Sequence, residues 1–167
     1  MIGPVELVVA AFDDEERAGQ VLKDMRQMDK DGVIAVVNAA VMVKKENGKV
    51  SIRETEDVGG GRGALFGAII GGLVGLLGGP PGVIVGAAAG AATGGVAAKK
   101  IDMGFSDEML HELQDGLTPG SSAILALIQH EWVDRVVAEL ENFGARLFHQ
   151  GLKADIVAQL EAQAEVE

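Results

Sequence analysis

Residues 63–98 read GALFGAIIGGLVGLLGGPPGVIVGAAAGAATGGVAA, 36 residues without a charge. How this stretch is read decides whether its two flanks form one body or two. Glycine returns at every fourth position: Gly63, Gly67, Gly71, Gly75 and Gly79, then, after Pro80 and Pro81, Gly82, Gly86, Gly90 and Gly94. Positions four apart fall on nearly one face of a helix, so each half presents a smooth groove where another backbone can approach closely. The pattern predicts a glycine-zipper helical hairpin that turns at the prolines, with these glycines as its helix-packing interface. Such a device serves association and names no reaction.

Each glycine in a helix interior costs roughly 1 kcal/mol relative to alanine, so a run with a glycine at almost every second or third position is penalised by about 7 kcal/mol before anything packs against it. Alone in water such a helix does not form. Its partner half, other copies of the chain, or a bilayer must offset the penalty. The alternative is a flexible linker, but linkers favour serine and polar residues. Leu65, Phe66, Ile69, Ile70, Leu73, Val74, Leu76 and Leu77 argue against it.

Composition bounds the flanks. A chain of 167 residues suits one domain with a real core plus an insertion. The absence of cysteine removes disulfides, thiol nucleophiles and thiolate metal sites together. A net charge of -11 excludes nucleic acid as the expected partner, because phosphate binding needs clustered lysine and arginine. The opening residues Met1 to Leu7 show no basic region followed by an apolar stretch and a small-residue cleavage site, so a cytoplasmic body is expected.

In chain order, Val5 to Phe12 is a β-prone run. Asp13, Asp14, Glu15 and Glu16 then place acids in a first helical turn, with Ala18, Val21, Leu22, Met25 and Met28 following at helical spacing to about Asp29. Val33 to Val43 reads as a second strand, and Asn47-Gly48 signals a hairpin into Val50 to Glu54. Beyond the glycine stretch, Ser106-Asp107-Glu108 looks like a helix cap with an acidic first turn, and Thr118-Pro119-Gly120 stops that helix. Ser122 to Ile128 reads as a strand, Glu131 to Phe143 as a helix, and Ala145 to His149 as a strand. A final amphipathic helix begins near Lys153 and ends in acids.

Val5 to Val43 and Ser122 to Gly151 therefore share one order: strand, short link, helix, strand. Two such split units assemble a ferredoxin-like α+β sandwich, with helices on one face of an antiparallel sheet. The expected organisation is a discontinuous body, 1–58 with 101–152, an inserted hairpin, 59–100, and a C-terminal helix with an acidic end, 153–167. Strand two is apolar on both faces except at Asn38. Since helices on one side leave the other bare, that second face is expected to meet another subunit or the hairpin, unless Lys153 to Leu160 folds back over it.

Leu7-Val8-Val9-Ala10-Ala11-Phe12-Asp13, Arg53-Glu54-Thr55, the Gly59 to Gly95 stretch and Leu117-Thr118-Pro119-Gly120-Ser121-Ser122-Ala123 resemble a bacterial family of unknown function. Its members are described as predicted membrane proteins related to general-stress proteins, with a glycine-zipper hairpin inside a small α/β domain. The resemblance covers most of the chain. It implies a stress-related role and brings no established activity or catalytic residue.

The membrane label is weighed against length. Each half of the hairpin gives roughly 25 Å of helix, against the ~30 Å of a hydrocarbon core. Arg62 before the stretch and Lys99-Lys100 after it suit a hairpin with both ends in the cytoplasm. The same cations suit a water-soluble helical pair.

Chemical readings fare less well. Gly59-Gly60-Gly61-Arg62-Gly63 superficially resembles a phosphate-binding turn but lacks the lysine-serine or lysine-threonine ending of a P-loop. His111, His130 and His149 lie on separate elements with no adjacent-turn pair, and read as surface histidines rather than metal ligands. The acids Asp13 to Glu16 cap a helix more simply than they hold a cation, and Trp132 packs at an edge of the last unit. The expectation is a non-enzymatic protein without cofactor or metal that assembles with copies of itself, with the inner membrane as a second candidate partner. The alternatives are an integral membrane hairpin protein with a cytoplasmic domain, and a small-ligand or metal-binding enzyme.

Overall fold

The computed structural model describes residues 4–55 and 106–165. The hairpin expected over 59–100, its nine stripe glycines and the Gly59 to Gly63 turn lie outside the described residues. What is described is a mixed α+β fold around a five-stranded, open, antiparallel sheet. Its elements run β1 (Val5–Phe12), α1 (Arg17–Lys30), β2 (Asn38–Lys44), β3 (Val50–Thr55), α2 (Asp107–Gly116), β4 (Ser121–Gln129), α3 (His130–Asn142), β5 (Arg146–Gly151) and α4 (Ala154–Glu165). The strand order is β3-β2-β4-β1-β5, so β1 and β4, distant in sequence, pair at the centre.

Alternation along the central strands sorts the core into two layers. Val8, Ala10 and Phe12 of β1, with Ile124, Ala126 and Ile128 of β4, pack with Val21, Leu22 and Met25 of α1 and Val133, Val136 and Leu140 of α3. Val5, Leu7, Val9, Leu125 and Leu127 point the other way and pack with Met109 and Leu113 of α2 and Ile156 and Val157 of α4. Helices thus cover both faces, where the sequence led us to expect them on one. The second face of β2, Ala40 and Met42, belongs to this same buried cluster, which also holds Met109 and Leu113 of α2 and Ile156 and Val157 of α4. Strands buried on both sides need apolar residues at every position, which is why β1 and β4 read as near-continuous apolar runs.

Two boundaries differ from expectation. The strand expected from Val33 starts only at Asn38, because Val33 and Val36 find partners elsewhere and Val37 is the first to reach β4. Val33 N–H donates to Met28 O at 2.9 Å, Val37 N–H to Leu127 O at 2.9 Å, and Val36 N–H to an Asp29 carboxylate oxygen at 3.3 Å. Helix α1 starts at Arg17 with no acid in its first turn. Asp14 instead accepts the Glu16 N–H at 2.8 Å, which holds the acids in a preceding turn. The cap of α1 comes from β4: the Ser122 hydroxyl accepts the Ala18 N–H at 3.1 Å and donates to Asp14 O.

Other local signals read as expected. Ser106 accepts the Met109 N–H at 3.1 Å and caps α2. The β2–β3 hairpin closes through Gly48 N–H to Lys45 O at 2.8 Å and Lys45 N–H to Lys49 O at 2.9 Å. Gly48 has a φ of 84°, the left-handed position that such a three-residue loop requires. Trp132 is half-buried against the α1/α3 layer, at an edge of the last strand–helix–strand unit.

Candidate functional site

Glu6 is the one charged residue in β1. Alternation puts it on the face of Val8, between Ile128 of β4 and Gly151 of β5. Gly151 offers no side chain there, and the space beside it is open. His149, across from Val8 on the same face, leans toward the vacant rung. His130 is the first residue of α3, fixed by its own N–H donating to Pro4 O at 2.8 Å.

The three side chains converge. His130 Nδ1 lies 2.7 Å from Glu6 Oε2, and His149 Nδ1 lies 3.2 Å from Glu6 Oε1. The carboxylate is 13% exposed, whereas the His130 and His149 side chains are 72% and 50% exposed. Burial by itself pushes the Glu6 carboxyl up, but hydrogen bonds and charge from His130 and His149 outweigh it, and the group ends below its ordinary value. The site is therefore a half-sheltered carboxylate shared by two imidazoles, able to hold or exchange protons. Among the described residues no group of three or more His, Cys, Asp or Glu is arranged to hold a metal ion.

His111 stands on α2, which packs on the opposite face of the sheet from α3, so it does not join the pair. The acids before α1 disperse: Asp13 pairs with Arg146 at 2.8 Å, and Glu16 pairs with Arg53. The convergence of His130 and His149 on Glu6 escaped the sequence reading, because the pairing of β1 with β4 brings the one and the pairing of β1 with β5 the other. The available signal was Glu6 itself, a lone acid inside an apolar strand.

Among the described residues, no helix is long and apolar enough to cross a membrane. The architecture places the chain among α+β proteins built on an open antiparallel sheet with helices on both faces. More particularly, it belongs to the family described as Protein of unknown function (DUF1269), whose model matches residues 64–165. The match begins within the glycine-rich stretch and runs through the second strand–helix–strand unit. No curated protein and no solved structure matches the chain.

Proposed function

We propose that this is a non-enzymatic, self-assembling protein in which the glycine-rich segment joins copies of the chain. One observation carries the reading: an uncharged segment with glycine at every fourth position, beside a body whose two sheet layers are packed by its own helices. A body with both faces covered has little need of a partner for its core, whereas a glycine-striped helix is stable only against close-packed neighbours. Assembly is the role that satisfies both.

The body is read as ferredoxin-like. Without β3, the order β2-β4-β1-β5 is that of two interleaved β-α-β units, with α1 and α3 on one face, as this fold requires. On this reading β3 extends one edge, and α2 and α4 form an added layer. The glycine hairpin is an insertion between the halves, 59–100. The placement of its flanks supports this: Thr55 lies across from Ala40, and Ser106 N–H donates to Gln150 Oε1 at 3.2 Å. Gln150, Leu7, Leu127 and Asn38 form one row across the sheet, two residues from Ala40, so both flanks sit at the same end.

A second reading, an integral membrane hairpin, is favoured by Arg62, Lys99 and Lys100 bracketing the apolar stretch. Expression without detergent followed by membrane fractionation separates the two. Self-assembly predicts soluble protein with a mass above that of the 17.3 kDa chain. Sedimentation with membranes, reversed only by detergent, would establish the second reading and overturn the first.

A further inference from the structure

We propose that Glu6, His130 and His149 form a proton-operated clasp that holds the C-terminal end of β5, and with it the start of α4, against the sheet. Among the described residues β5 is an edge strand, laddered only to β1. Its last rung is Glu6 opposite Gly151, where the edge strand contributes no side chain. One residue later Leu152 N–H donates to Val5 O at 2.9 Å, and α4 then brings Ile156 and Val157 into the second layer. The carboxylate at that rung is the polar tie between β1, β5 and the start of α3.

The groups facing Glu6 make the tie proton-dependent. From β4 it meets Ile128 and from β5 Gly151, neither of them charged. The charges that act on its carboxyl are the imidazoles of His149 on β5 and His130 on α3. Hydrogen bonds to an ionised carboxylate are about twice as strong as those between neutral groups. As pH falls through the lowered value of Glu6 the carboxylate is protonated and the bonds from both imidazoles lose that charge assistance. The clasp is tight while Glu6 is ionised. When it loosens, the β5–α4 corner opens and Val5, Leu7 and Leu127 lose part of their cover. The device is independent of how the glycine segment associates.

Hydrogen–deuterium exchange of the full chain tests it, comparing the parent with Glu6→Gln and with the double variant His130→Gln/His149→Gln. At about pH 7, where Glu6 is ionised, protection across 147–157 should fall by about tenfold in both variants, while β4 keeps its protection. In acid, below the lowered value of Glu6, most of the difference between parent and variants should vanish. The same difference at both pH values would overturn the proposal, and so would a loss spread equally over β4 and β5. Should Glu6→Gln not fold, His149→Gln alone carries the same comparison.

Discussion

Ser121 and Ser122 open β4 side by side, both fully buried, and alternation sends their hydroxyls to opposite layers. Ser122 Oγ is bonded twice, accepting the Ala18 N–H near the start of α1 and donating to Asp14 O. Ser121 Oγ has no partner among the described residues. Ser122→Ala removes the hydroxyl that caps the Ala18 N–H, worth about 1 kcal/mol. It also strips Asp14 O of its donor, at about 1–2 kcal/mol more. The sum is a loss of about 2–3 kcal/mol. Ser121→Ala deletes a hydroxyl already desolvated for nothing, so it should fall within about 0.5 kcal/mol of the parent or stabilise slightly. Urea unfolding at one fixed protein concentration measures both, with midpoints compared at unchanged slope. Equal losses in the two variants would refute the assignment of the α1 cap to Ser122.

Asn38 is fully buried on the second layer, and neither carboxamide atom has a partner among the described residues. Asn38→Leu should therefore raise stability by about 1–2 kcal/mol in the same assay, and a loss would mean that a polar partner exists there. Glu6 has a folded pKa below its ordinary value of 4.5, so its contribution is complete above that value and disappears as pH falls through the lower folded value. The stability advantage of parent over Glu6→Gln should follow that course in a pH series of urea midpoints, and an advantage that persists in strong acid would contradict it. Gly48→Ala forces a Cβ into a left-handed turn, φ 84°, and should cost about 1 kcal/mol without altering the mass of the assembly.

The strands and helices were largely legible because their signals are local. A near-continuous apolar run marks β4, helical spacing marks α1 and α3, a serine cap marks α2, and Asn47-Gly48 marks the hairpin. What escaped depends on contacts between distant residues. Val33 to Val37 carries a β-prone sequence, yet the N–H groups of Val33 and Val36 bond back to Met28 and Asp29, and Val37 is the first to reach the neighbouring strand, at Leu127. The acids of 13–16 looked like a helical first turn, but Ser122, more than a hundred residues away, sets where α1 begins. The apolar second face of β2 suggested a missing partner, because periodicity cannot tell which of the chain's own helices will cover a face. The Glu6, His130 and His149 cluster was invisible for the same reason: the three become neighbours only when β4 and β5 are laid on either side of β1.

The glycine stripe is the part of the account on which function turns. Gly71→Leu and Gly90→Leu each place a bulky side chain where the stripe requires close backbone approach, while Gly71→Ala gains about 1 kcal/mol of helix propensity and isolates the steric effect. Sedimentation equilibrium in detergent-free buffer, with circular dichroism on the same samples, is the most direct measurement. The account predicts a parent mass that is a multiple of 17.3 kDa, and leucine variants that dissociate or aggregate while keeping an α/β spectrum. A monomeric parent, or leucine variants that assemble as the parent does, would contradict it.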